Sequence, residues 1–313
     1  MINRRYLRIK VFQALYGFFK DESALRDIAR KNLITNLSKT YELFLFNLAF
    51  LFEWKFFIEN ELHAQKNKYF PSESLTNLLT SILNNKVLDA ITNSQEVKEQ
   101  INKVIPRWQN SQENIRQIFN EIRYHKLLVE YANLTNKDFK SDKEFIIGLF
   151  ELLTAENDLY NSIMDEQFIN WEDDMVVVLS SIQKTIGSIK PNNKLILPGF
   201  HKDEEEDIKF VTDLFNLTIE HNNYLTELII SKTENWDEDR IAFVDNLLMK
   251  MALCEILYFP YVPVKVSINE YLELAKLYST NSSHSFINGV LDKVQLELKR
   301  QNKITKLGRG LVE

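Results

Sequence analysis

Arg4, Arg5, Arg8 and Lys10 place four cations within the first ten residues, with no acid among them. This is the only short run in the chain whose residue types suit phosphate contact. The same segment carries Leu7, Val11, Ala14, Leu15 and Phe18 at helical spacing, which makes them the buried stripe and leaves the cations spread over more exposed faces. Read from these residues alone, the pattern is an ordinary solvated basic face. The formal net charge of −6 excludes a protein that holds nucleic acid by its overall field, so any such contact has to be local.

Other chemistry is poorly represented. His63, His125, His201, His221 and His284 are scattered without metal-ligand spacing. No Gly-rich loop follows a strand, and no nucleophile has a base at a recognisable distance. Asp237, Asp239 and Asp245 are close in sequence but fall at a helix entry and on its surface. Cys254, the single cysteine, lies on the apolar side of an expected helix and reads as a small core residue, which fits a reducing cytoplasm. The expectation is a non-enzymatic cytoplasmic protein with no cofactor, no metal and no small-molecule substrate.

The elements that position these residues read as helices throughout. Only 7 Gly and 6 Pro accompany 45% apolar residues, and no alternating run bounded by turn residues stands out as a strand, so the class is all-α. Arg4-Arg5 ahead of the apolar run 11–19 imitates an export signal, but Gln13 interrupts the run and Lys20-Asp21-Glu22 follows it without a small-residue cleavage site. Residues 24–66 form one long helix, apolar nearly all round over 41–58. That stretch is long enough for a membrane span, yet Glu53 and Lys55 interrupt it, each costing roughly 2.5–3.5 kcal/mol near mid-bilayer. The centre of a helical bundle suits it better. Amphipathic segments follow over 71–133, with breaks near Asn84-Asn85, Thr92-Asn93 and Ile105-Pro106.

A repeat then surfaces. Residues 144–174 align without gaps on 209–239, with Phe145/Phe210, Leu149/Leu214, Phe150/Phe215, Asn157/Asn222, Asn170/Asn235, Trp171/Trp236 and Asp174/Asp239 identical. Each copy reads as one helix of about 25 residues, closed by Asn-Trp and an acidic entry into the next helix. Pro191-Asn192-Asn193 and Pro198-Gly199 mark a loop between the copies, and the acidic run 203–207 caps the helix after it. Residues 299–313 are basic and aperiodic, and read as a frayed tail.

Residues 260–293 hold two amphipathic helices joined by a polar turn. Ile268, Tyr271, Leu272, Ala275 and Tyr278 make the first stripe behind Pro263; Ile287, Val290, Leu291, Val294 and Leu298 make the second, with Ser282, Ser283 and Ser285 as candidate N-caps. Gly289 lies inside the second helix at a cost of roughly 1 kcal/mol, which points to a close approach by a neighbouring helix or a ligand. Asn269 and Asn288 read as satisfied core amides beside the stripes.

"KVSINEYLELAK" followed by "HSFINGVLDK" resembles the C-terminal signature of the bacterial transcription antitermination factor NusB family. The resemblance extends back through "NWDEDRIAFVDNLLMKMALCEILY" and reappears in "RRYLRIKVFQALY" near the N-terminus, so it covers 3–20 and roughly 205–300. It implies an all-α fold of NusB-like helical bundles with additional long helices. It also implies binding to single-stranded boxA RNA in nascent ribosomal transcripts, pairing with NusE, a ribosomal small-subunit protein, and association with the RNA polymerase antitermination complex. Under the resemblance, Arg4, Arg5 and Arg8, with Lys10 beside them, match the arginine-rich helix. Phe286 and Asn288 match positions near the RNA path, and Tyr16 and Asp245 match the surface that meets NusE. The turn that often reads Gly-Ala-Glu-Asp in the family is Ser279 to Ser282 here, which removes an acidic RNA contact at Ser282. The expected organisation is an N-terminal helical region at 1–134, a NusB-like domain at 135–304 with its signature at 235–298, and a basic tail at 305–313, with 21–205 an enlargement. Two alternatives compete. An RNA cytosine methyltransferase accessory domain would need a further α/β domain. A helix-turn-helix DNA regulator would read bases with His284, Asn288 and Lys293 but no arginine for guanine.

Overall fold

The computed structural model describes residues 2–109, 111–191, 195–197, 199–233 and 241–311. Asn192, Asn193, Pro198, Asn235, Trp236, Asp237 and Asp239 therefore lie outside the described residues. Sixteen α-helices and no strand occur among those described. They group into two compact units, one of Ile2–Leu37 with His201–Glu313, the other of Ser38–Phe200. The division thus joins the two ends of the chain, and the expected boundary at 134/135 falls within the second unit.

The unit of Ser38–Phe200 is built on α2 (Arg26–Lys66), a single helix of 41 residues that begins before it. Leu43, Phe44, Leu45, Phe46, Leu48, Ala49, Phe50, Leu51, Trp54, Phe57 and Ile58 are all buried in its core, as the all-round apolar pattern requires. The polar exceptions are satisfied: Asn47 Oδ1 accepts from Tyr160 Oη, Glu53 accepts from Gln112, and Lys55 reaches Asp89 at 3.1 Å. No described helix is long and apolar enough to cross a membrane. After α2 come α3 (Glu73–Leu83), α4 (Lys86–Thr92), α5 (Gln95–Ile101), α6 (Ile105–Gln109), α7 (Gln112–Ile122) and α8 (Lys126–Asn133), of which α4, α6 and α7 meet α2 through Asp89, Trp108 and Phe119. Asn85 and Ser94 cap α4 and α5, which places those breaks where side-chain oxygens compete for backbone amides. The break near Ile105-Pro106 is also present: α5 ends at Ile101 and α6 opens at Ile105, with proline tolerated in its first turn.

The two copies share one helix pattern over the described residues, but each expected long helix is two. The first copy is α9 (Phe139–Glu156), α10 (Asp158–Gln167) and α11 (Trp171–Ser188); the second is α12 (Glu204–Glu220), α13 (Asn222–Ile230) and α14 (Phe243–Tyr258). Asn157 makes the first break by capping α10, accepting from Tyr160 N at 2.7 Å. Phe145, Leu149 and Phe150 are buried in one unit, and Phe210, Leu214 and Phe215 are buried in the other.

The unit that joins the chain ends contains α1 (Arg4–Lys20), α12 to α14, α15 (Val264–Tyr278) and α16 (Asn281–Arg300). Both expected stripes are buried except Tyr278, which is half-buried. Thr280, not a serine, caps α16, accepting from Ser283 N at 3.3 Å. Asn269 is exposed and Asn288 partly so; neither is a core amide.

Residues 303–311 are not a frayed tail. They fold back on the turn before α15: Leu307 N donates to Pro260 O at 2.9 Å, and Lys306 Nζ donates to Phe259 O at 3.0 Å. Burial lowers the Lys306 ammonium to about 8. The docked segment therefore binds fewer protons than a free one between about pH 8 and a free-lysine value near ~10.4, so docking strengthens as pH rises through that window. Gly310 permits the contact, because a Cβ there would sit 2.0 Å from Pro260 O. Gly310→Ala is expected to undock the segment and to raise tryptic cleavage after Lys303 and Lys306 by about tenfold or more, with the helical circular dichroism retained.

Candidate nucleic-acid interface

The basic helix begins where Asn3 caps it, accepting from Tyr6 N at 2.8 Å. Arginines in a first turn oppose the helix dipole, so α1 is poorly served by its own sequence. Acids from later helices meet them. Arg4 Nη2 donates to Glu206 Oε1 at 2.7 Å and Arg4 Nε lies 3.6 Å from Asp207, both at the start of α12. Its guanidinium also stacks 4.5 Å from the Phe210 ring centre. Arg5 makes a two-pronged contact with Glu270 at 2.9 and 3.0 Å, with Glu273 at 3.9 Å beyond. Its hydrogen bond to Glu270 holds the Arg5 pKa above the ordinary arginine value.

Arg8 differs from both. It is 2% exposed and paired with Glu255, which is fully buried, through Nε and Nη2 at 2.8 and 2.7 Å. Glu255 also accepts from Ser267 Oγ at 2.7 Å and Tyr271 Oη at 3.3 Å. Burial by itself would lower the Arg8 pKa, but the attraction and hydrogen bonds of Glu255 outweigh it and raise the value. Lys10 is likewise buried, its ammonium 5.4 Å from the Tyr6 ring centre. The expectation that all four cations lie on exposed faces is therefore corrected: α1 is enclosed on more sides than its apolar stripe suggests, and only Arg4 and Arg5 keep side-chain surface, 35% and 43%.

A groove of about 1110 Å³ opens beside these two arginines, walled by Phe210, Phe259, Tyr261, Val262 and Val266. On α16, Phe286 and Asn288 are partly exposed and Gly289 is exposed. Nothing within 4 Å would meet a Cβ at Gly289, so no neighbouring helix accounts for it. Gly289→Ala should therefore raise stability by roughly 1 kcal/mol, read as a higher urea midpoint. A loss of stability there would contradict the open surface.

Tyr16 is 40% exposed and packs its ring against Phe243 at 5.4 Å, edge on. Asp245 lies two residues further along α14, so the structure does bring the two ends of the chain to one place. Asp245 itself is 5% exposed, however, and not on the helix surface as expected; it accepts from Ser279 Oγ in the turn before α16. The serine-rich turn thus ties α14 to α16. The acids that meet α1 were not found from sequence, because they lie 202 to 265 residues from their partners.

An all-α chain whose two ends build one bundle, with two partly exposed arginines each paired to an acid of a later helix, is a helical scaffold with a local cluster of charges. Comparison with known proteins defines it further. The family model described as NusB family matches residues 188–296. The transcription antitermination protein NusB of Salinibacter ruber is 41% identical over 111 residues, covering 35% of this chain and 69% of that protein. That of Thermodesulfovibrio yellowstonii is 36% identical over 104 residues, 33% of this chain and 69% of its own length. That of Chloroherpeton thalassium is 41% identical over 115 residues, 36% of this chain, and the match spans about half of it, 54%. The chain belongs to the NusB family.

Proposed function

We propose that the chain is an RNA-binding transcription antitermination factor for ribosomal RNA operons, which takes a boxA-like single strand together with NusE and RNA polymerase. Family membership carries this reading, supported by relatives that bear the name transcription antitermination protein. Within it, Arg4 and Arg5 contact phosphate and Arg8 is a strut that fixes α1. Exposed ion pairs are worth at most about 1 kcal/mol, so a phosphate can replace Glu206 or Glu270 as a partner. The apolar groove beside them offers a wall for a base, and Phe286 and Asn288 border the path. Tyr16 is the aromatic anchor of the NusE surface, with Asp245 holding the helix end behind it.

The test is affinity for a boxA-like single strand against a scrambled strand of equal length, over a salt series, with NusE added in a second arm. Two phosphate contacts predict a shallow log–log salt slope of about −1.4 at ~0.7 per phosphate. Tighter binding in the presence of NusE is expected, reduced by Tyr16→Ala without loss of melting temperature. Equal affinity for both strands would overturn the proposal.

A further inference from the structure

We infer a second single-stranded nucleic-acid contact on the turn between α2 and α3, centred on Tyr69 and Phe70. These are two of the most exposed aromatic side chains described, at 91% and 84%. Their rings lie edge to face, 86° apart with centres at 4.7 Å, which leaves open faces on both. The turn is held in shape at each end. Asn67 N and Lys68 N donate to Ala64 O and Gln65 O to close α2, and Ser72 caps α3 while accepting from Thr76 Oγ1 at 2.8 Å.

The surroundings select the occupant. Residues 62–72 contain no acid, and Lys66 and Lys68 make no ion pair among the described residues. The α1 arginines, by contrast, are all paired. Along the chain the rings are neighboured by lysine, asparagine, proline and serine, not by aliphatic area of the kind that surrounds aromatic anchors in membrane-surface and protein-docking patches. Open ring faces flanked by free cations are what a nucleic-acid strand uses, with bases on the rings and phosphates on the lysines. The strand is bound without sequence readout, because every base has a face to stack. Such a contact on residues 38–200 would operate whether or not α1 holds boxA.

The full chain is titrated against a fluorescent uridine-rich RNA of about 20 nucleotides lacking boxA, with 4-thiouridine crosslinking as a second readout. Tyr69→Ala with Phe70→Ala should lower affinity by about tenfold or more, while Tyr69→Trp with Phe70→Trp retains it. Lys66→Ser with Lys68→Ser should flatten the salt slope by about 1.4. Crosslinks should map to Tyr69 or Phe70. Arg4→Ala with Arg5→Ala should lower boxA affinity yet leave the crosslinks at Tyr69 or Phe70 in place, so the contact and the boxA reading fail separately. Parent-like RNA affinity in the alanine variant would overturn the inference, and so would loss of anionic-vesicle binding by that variant with RNA affinity intact.

Discussion

Glu255→Gln should lower the stability of the chain by about 3–5 kcal/mol, read as a reduced urea midpoint with unchanged dependence on denaturant. The reason is the environment of Arg8. Its guanidinium is 2% exposed and its hydrogen-bonded partner is Glu255, so removing the carboxylate charge leaves a buried cation without an equal acceptor. Ser267 and Tyr271 donate to different oxygens of Glu255, and glutamine keeps only one of them as an acceptor. Replacing both charges by apolar residues of similar size, Arg8→Met with Glu255→Leu, should recover most of the loss, because the pair itself contributes little net stability once desolvation is counted. An additive double mutant would mean that the two residues act separately.

Leu48→Ala is the second large effect, at about 2–5 kcal/mol. Leu48 is buried on α2 among Phe44, Phe50 and Leu51, and the loss grows with the cavity that cannot collapse. Thermal or urea unfolding measures it. A loss below about 1 kcal/mol would show that α2 is not enclosed at this point.

How much of this was legible in the sequence depended on distance along the chain. The long helix was legible, because an apolar run without a glycine or proline admits one reading and burial follows from it. The two stripes of α15 and α16 were legible for the same reason. The break at Asn157 was missed although its cause lies in the residue itself, an asparagine whose side chain competes for Tyr160 N. The break near Pro106 was legible, since a proline fits only the first turn of the helix that follows. The docking of Lys306 and Gly310 was illegible, as a basic aperiodic tail carries no mark of the carbonyls that will receive it.

The candidate site shows the same limit. The cations of α1 can be read from the sequence, but their exposure cannot, because it is set by Glu206, Glu255 and Glu270 from three later helices. An arginine-rich first turn with no acid of its own was the available hint that acids would come from elsewhere. For Asp245 the sequence suggested a surface acid, and its burial was illegible because the partner that draws it in, Ser279, lies 34 residues further on.

The division of labour along α1 is tested most directly by measuring boxA-like RNA affinity and melting temperature together for Arg4→Ala with Arg5→Ala and for Glu255→Gln. The arginine pair should lose affinity by about tenfold or more at an unchanged melting temperature, since each lost phosphate contact also leaves a carboxylate facing the strand. Glu255→Gln should lose stability and, at a temperature where it remains folded, keep its affinity. Parent-like RNA affinity in the arginine variant would contradict the account.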